Sequence, residues 1–211
     1  MRKSGKIVSY LPLIAVTFII LFPYLWVLLL SFKDNMEIMT TPFSFPRMID
    51  WGNYKRALET LNLTVMYKNT MIVTAAALLI SVSTSFMGAY CISRLHFQNE
   101  KVSSAFYLYF IAGLTIPPYI MIFPIYRITM LLDLMNTRIS LVLPLAATTL
   151  ALDMLLLTGF LRSFPEEIEE AAIIDGCKIV RLCMQIVLPI SKPILVTVII
   201  FNVLYFWNEY P

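Results

Sequence analysis

Apolar runs far longer than an ordinary core element needs alternate with polar stretches along this chain. Five apolar segments stand out, at about 7–31, 70–93, 104–126, 139–161 and 193–211. A helix needs about 20 apolar residues to cross a hydrocarbon layer roughly 30 Å thick. Open strands would leave backbone groups unsatisfied in lipid, so the pattern predicts five transmembrane helices. The predicted fold class is therefore all-α, a polytopic membrane helical bundle. Pro12, Pro23, Pro117, Pro118, Pro124 and Pro144 fall inside or near these spans. In a membrane bundle they are expected to kink helices, because neighbouring helices satisfy the freed carbonyls.

The polar intervals set an orientation. Arg2, Lys3 and Lys6 precede the first span, which puts the N-terminus in the cytoplasm. Summed over all loops the asymmetry is slight, nine Lys/Arg inside against seven outside. Residues 32–69 and 127–138 then lie outside, and 94–103 and 162–192 inside. The first apolar stretch runs from Ile7 to about Ser31, beyond the 7–15 residues of a signal-peptide core, and no A-x-A site follows. It reads as an uncleaved span. The long outer loop is polar and contains proline, with an amphipathic helix expected around Asn53–Leu61 and room to meet an extracytoplasmic partner.

Composition agrees. Of 211 residues 59% are hydrophobic and 14% charged, against about 25% charged in a soluble domain. The net charge of +3 is scattered, with no Lys/Arg block to suggest nucleic acid. Cys91, Cys177 and Cys183 form no C-x-x-C pair and read as reduced thiols near the cytosolic side. The single histidine, His96, has no ligand-spaced partner, so no metal site is expected.

Within the spans, Thr74, Ser81, Ser83, Thr84, Ser85 and Gly88 suggest a close-packing face on the second helix. Gly113 followed by Pro117-Pro118 marks a candidate hinge or a static kink in the third. Asp153 lies in the apolar run ALDMLLL of the fourth span. A carboxylate at depth costs roughly 2.5–3.5 kcal/mol and should face the bundle interior or water. It is a candidate for the solute path; the alternative is a structural partner for a hydroxyl, or for Arg162. Asn202, Tyr205 and Trp207 of the fifth span are further candidates, since polar and aromatic groups together offer hydrogen bonds and apolar ring faces to a polar solute.

The inner segment 162–192 is the most informative. Pro165 suits a first helical turn. Glu166, Glu167, Glu169 and Glu170 follow near the positive end of the helix dipole. Ile168, Ala171, Ala172 and Asp175 share one face by spacing. Gly176 is expected to end the helix in a left-handed conformation, and a second helical stretch to stop at Leu188-Pro189. Residues 165–176 hold five acids and no base. An anionic leaflet would repel such a segment, so a protein partner with a complementary cleft explains it better.

These residues carry a resemblance. Glu170-Ala171-Ala172, Gly176, Ile186 and Leu188-Pro189 meet every position of E-A-A-x3-G-x9-I-x-L-P, which resembles the EAA loop of ABC importer permeases. Asn69-Thr70, Ala89-Tyr90 with Arg94 and Phe97, Pro124-x-Tyr126, Asn136-Thr137, Asp175-Gly176 and Trp207-Asn208-Glu209 resemble the carbohydrate-importer branch, which includes the maltose-type permeases. The resemblance implies a type I importer-like transmembrane domain. It implies a membrane subunit for a sugar or sugar-like solute, without an ATPase site of its own, in a bacterial or archaeal inner membrane. No G-x-x-x-x-G-K-[ST] loop can be written with the six glycines. The implied partners are a cytosolic ABC ATPase dimer using ATP and Mg, a second related permease, an external solute-binding protein and membrane lipid. No cofactor is expected on this chain. By analogy Glu170 would pair with a basic group of the ATPase, Ala171 and Ala172 would permit close contact, and Gly176 would form the elbow.

The family pattern has six spans, and here the sixth is missing. The segment 193–211 would be about 28 Å long as a helix, barely enough to cross. The expectation is a C-terminal truncation or a fragment. Alternatives are an importer permease for a non-sugar solute and an ion-coupled secondary transporter with Asp153 as the ion site. A membrane-embedded enzyme would need clustered nucleophiles, bases or ligands at one depth, and the chain offers no such constellation.

Overall fold

The computed structural model describes residues 3–95 and 99–209. Arg2, His96 and Phe97, which figured in the expectations above, lie outside them. The described residues are helical and connecting segments with no strand. They divide into two compact units, Met1–Val65 and Met66–Pro211.

In the first unit α1 spans Lys3–Leu30. Its window Pro12–Leu30 has a mean hydropathy of 2.6, and by length and composition it is a membrane span. Phe18, Phe22 and Trp26, four residues apart and so on one helical face, form an aromatic ladder with centroids 5.9 and 5.7 Å apart. Phe43 of the following loop extends it, 5.6 Å from Trp26.

That loop is built, not slack. The short helix α2, Asn35–Thr40, begins where the Asp34 side chain accepts from the Glu37 N–H. Lys33 is only 1% exposed. Its Nζ donates to the Thr41 carbonyl at 2.8 Å and to Ser44 Oγ at 3.0 Å. Asn53 Nδ2 donates to the carbonyls of Ser31 and Lys33. The expected amphipathic helix is α3, Gly52–Thr60.

The second unit is built on α4, Leu63–Arg94, α7, Ile139–Ser163, and α11, Lys192–Asn208, with α5, Glu100–Ala112, and α6, Ile122–Leu131, between α4 and α7. Association in lipid gains little from hydrophobicity and depends on close packing. Accordingly Ala77, Ser81, Ser85 and Ala89, each one turn on from the last, are fully buried along α4. Gly88 permits the same approach: a Cβ there would lie 3.1 Å from Met154 Sδ. Ser83 and Thr84, expected on this face, instead point outward. Leu157, Leu161 and Val198 pack with Phe86 and Tyr90 in one core cluster, and Val73, Ala77, Val142 and Phe206 in another.

The third apolar segment departs from a single helix over 104–126. Segments Lys101–Thr115 and Pro118–Leu131 meet at 94°. Pro117 and Pro118 lack N–H groups, and the ring of Pro118 excludes the α conformation at Pro117 (φ −63°, ψ 128°), so the helix must stop there. At Gly113 an added Cβ would come within 3.3 Å of the Ala151 Cβ on α7. Helix α6 continues to Leu131, five residues past the expected limit, and the chain turns through Asp133 and Asn136 with positive φ. Asn tolerates that conformation because its short polar side chain bonds locally.

Candidate coupling site

The segment after α7 folds into a short helix, α8, Glu167–Ile174, then α9, Ile179–Leu182, a single π turn at Cys183–Val187, and α10, Leu188–Ile190. Glu166 occupies the N-cap of α8, and Pro165 stands one residue before it, not in the first turn as expected. The acids Glu167, Glu169 and Glu170 occupy the first turn, where the unpaired N–H groups favour negative charge.

Gly176 ends α8 in the left-handed region at φ +79°. The Gly176 N–H donates to the Ile173 carbonyl and the Cys177 N–H to the Ala172 carbonyl, both at 2.9 Å. These two bonds constitute a Schellman cap, closing carbonyls that would otherwise be orphaned. Ala172 and Cys177 both join the core beneath the cap.

The helix has two distinct faces. Glu170, Ala171 and Asp175 are exposed, as is Ile174 at 85%. Glu169 and Ala172 are buried. The face expected from spacing is thus rotated: Ile168 is exposed beside Ala171 and Asp175, and Ala172 faces the core. A stripe read over about two turns of so short a helix does not distinguish a partner-facing side from a core-facing one.

The inward face is held by Arg94, the last residue of α4, whose side chain is 4% exposed. Its Nη1 donates to Glu166 Oε1 at 2.8 Å. Its Nη2 donates to the carbonyls of Leu161 and Phe164 at 2.6 and 2.7 Å, which satisfies the C-terminus of α7. Nε lies 2.8 Å from Glu169 Oε1, an ion-pair contact that is off line for a hydrogen bond. Tyr90 OH donates to the other Glu169 oxygen at 3.3 Å. Between α8, α9 and the end of α4 lies a cleft of ≈ 340 Å³ lined by Tyr90, Arg94, Glu169, Ile173 and Leu182 among others.

The rest of the motif is structural. Ile186 and Leu188 are half-buried against the core. The second stretch does not stop at Pro189 but runs to Ile190, and turns by 75° into α11 at Ser191. The preceding π turn widens the backbone where the Pro189 ring would otherwise press on the carbonyl four residues back, at Gln185.

Deeper in the bundle, Asp153 is fully buried, at 0% exposure. Its Oδ2 accepts from Ser81 Oγ at 2.7 Å, Asn202 Nδ2 at 2.8 Å and Ser85 Oγ at 3.3 Å. Thr149 Oγ1 lies 2.7 Å from Ser81 Oγ. Three helices, α4, α7 and α11, therefore meet at one carboxylate oxygen. In this structure Asp153 and Asn202 face each other, both buried within the bundle. Hydroxyls and an amide stabilise Oδ2, in keeping with the structural alternative for Asp153, while the buried Oδ1 has no hydrogen-bond partner among the described residues. Arg162 is not its partner: the guanidinium lies 4.8 Å from the centroid of the Tyr107 ring. Trp207 is exposed and Tyr205 half-buried, with Trp207 6.4 Å from the ring of Tyr67.

Two features escaped the sequence. The Arg94 cluster was visible only as a basic residue closing a span and two acids a turn apart. The Ser81–Thr149–Asn202 set joins residues up to 121 positions apart, and no local pattern reports it.

Residues 91–211 match the family described as binding-protein-dependent transport system inner membrane component. The chain belongs to that family. It is 36% identical over 203 residues to the diacetylchitobiose uptake system permease protein NgcG of Streptomyces coelicolor, covering 96% of this chain and 66% of that one. It is 31% identical to the probable starch degradation products transport system permease protein AmyC of Thermoanaerobacterium thermosulfurigenes, covering 89% and 67%. It is 30% identical to the melibiose/raffinose/stachyose import permease protein MelC of Bacillus subtilis, covering 99% and 74%. The chain thus spans about two thirds of the length of NgcG and AmyC. Its fold matches a chain from the crystal structure of a bacterial ABC transporter involved in import of the acidic polysaccharide alginate. That match has a TM-score of 0.81 at 22% identity and covers 100% of this chain and 74% of that one. This is a multi-pass membrane permease component, not the ATPase of its system. The matched region opens at Cys91, so it takes in Arg94 and all of the α8–α11 segment.

Proposed function

We propose that this permease carries a sugar or sugar-like solute inward, powered by ATP that a separate subunit hydrolyses. The observation that carries the proposal is α8: an acidic helix with Glu170 and Ala171 on its outer face, ended by a left-handed Gly176. The names of the relatives support the solute class, since diacetylchitobiose, starch degradation products and melibiose are all carbohydrates.

In this reading an ABC ATPase dimer docks on the outer face of α8, with Glu170 paired to a basic group in its cleft. A second, related permease completes the membrane pathway, and an extracytoplasmic binding protein delivers the solute. The N-terminus is cytoplasmic. Closure of the ATPases on ATP and Mg moves α8, and the spans rock between inward- and outward-open states. Such switching is driven only by differential affinity of the partners for the two states. The break at Gly113 and Pro117-Pro118 is the candidate hinge, and Tyr205 and Trp207 are the candidate solute-facing groups.

The test is a mild-detergent pull-down of the full-length permease from its own membranes, with mass spectrometry of what co-purifies. Recovery of a P-loop ATPase that is lost in Glu170→Lys, with membrane insertion unchanged, is the expected result. Unchanged assembly and transport in that variant would refute the coupling role of α8.

A further inference from the structure

Arg94 lies outside the EAA motif, yet its guanidinium gathers three elements. We propose that Arg94 is a positioning residue: through Glu166 and Glu169 it locks α8 to the cytoplasmic ends of α4 and α7, making the coupling helix a rigid lever. This rests on the reading of α8 as the docking helix.

Three observations carry it. An eight-residue helix is too short to persist alone, and the cleft of ≈ 340 Å³ beneath α8 means that apolar packing does not fill its contact with α4. Polar ties must supply that connection. The Arg94 fork reaches Glu166, the carbonyls of Leu161 and Phe164, and the Glu169 carboxylate at once. Only a planar guanidinium can serve so many acceptors with fixed geometry; an ammonium of equal charge cannot. Finally, the cluster engages Glu166 and Glu169, about half a turn round α8 from Ala171 and Asp175, so it is free to hold α8 while a partner bears on that side; Glu170 borders the same cleft as the cluster. A push at α8 then arrives at both α4 and α7 instead of being absorbed by bending of the links at Phe164–Glu166 and Asp175–Lys178.

The test uses the full-length transporter purified with its partners in lipid nanodiscs. Spin labels are placed at Met87→Cys on α4 and Ile174→Cys on α8, with Cys91, Cys177 and Cys183 replaced by Ser. Pulsed EPR then reads the width of the distance distribution. In unlabelled protein, ATP hydrolysed per solute taken up is measured with labelled melibiose, maltose and diacetylchitobiose, using the sugar that the wild type takes up best. Arg94→Lys preserves the charge and loses the fork. Glu166→Ala removes a tie whose side chain is 63% exposed and leaves the core untouched.

The expected result is a broadened distribution in both variants, an ATPase that still co-purifies, and ATP per solute raised about tenfold in Arg94→Lys, as for loss of one charge-assisted tie. A distribution as narrow as wild type in both variants overturns the clamp. A broadened distribution with unaltered ATP per solute overturns the lever. If no ATPase accompanies even the wild type, or none of the sugars is taken up, it is the proposed function that fails, and the distances alone still decide whether Arg94 holds α8.

Discussion

Gly176 offers a perturbation whose cost can be worked out before the experiment. At φ +79° the residue sits where a Cβ crowds its own backbone, at a cost of roughly 1–2 kcal/mol. Nothing lies within 4 Å of the Cβ that alanine would add, so no collision within this chain augments that figure. The strain has one outlet, which is to release the Gly176 and Cys177 N–H groups from Ile173 and Ala172 and unwind the last turn of α8. If the ATPase binds the intact helix, Gly176→Ala should weaken its binding by the same 1–2 kcal/mol, roughly 5- to 30-fold. The assay is titration of the purified ATPase onto full-length permease in nanodiscs, with amide exchange on α8 as an internal check. Gly176→Asn is the decisive companion, because Asn enters the left-handed region readily and should retain binding to within about threefold. If Asn is instead as damaging as Ala or worse, the backbone argument is wrong. The glycine would then be serving close approach by the partner, where the larger side chain does more harm.

Two further outcomes follow from buried polar groups. Asn202→Leu removes a 2.8 Å donor from Asp153 and should destabilise the α4–α7–α11 bundle by about 0.6–2 kcal/mol, the range for interhelical hydrogen bonds in membranes, read by unfolding in detergent; no measurable change would mean that Asp153 does not need the amide. Lys33→Met keeps the length of a fully buried side chain but removes the charged donor that ties the Thr41 carbonyl and Ser44 Oγ to the end of the first span, leaving that carbonyl only its bonds from Ser44. It should loosen the 34–50 loop by about 1–3 kcal/mol, seen as faster amide exchange and proteolysis there with the spans unaffected.

What the sequence made legible was whatever repeats locally. Long apolar runs announced α1, α4 and α7, and the acids before Ala171-Ala172 with a glycine after them announced α8 and its left-handed end. The limits of elements were less legible, because a helix does not stop where the lipid does: α4 begins at Leu63, within what hydropathy assigns to the outer loop, and ends with Arg94, which it assigns to the inner one. The 94° break was half visible, since Pro117-Pro118 dictates an interruption but not its angle, which packing of Gly113 on Ala151 helps fix. The fate of Asp153 was out of reach. Its depth told us that it must be satisfied, but Ser81, Thr149 and Asn202 become neighbours only after three helices have packed.

The length of the EAA motif, twenty residues from Glu170 to Pro189, has a physical reason in this structure. A docking face alone would need only the outer side of one short helix, here Glu170, Ala171 and Asp175. A helix carried by two flexible links would turn on its own axis when pushed, and little of the motion would reach the spans. The remaining positions prevent this. Ala172 seats α8 on the core, Gly176 reverses the chain so that α9 returns beneath it, and Ile186 and Leu188 bury the return path against the cluster that holds Leu157 and Val198. Pro189, with its π turn, aims the chain into α11, whose Asn202 is bonded to Asp153 on α7. From the outside inward, the motif is a continuous connection from Glu170, the proposed contact for the ATPase, to the centre of the bundle. Arg94 adds a second connection, through α4, on the side that the motif leaves open.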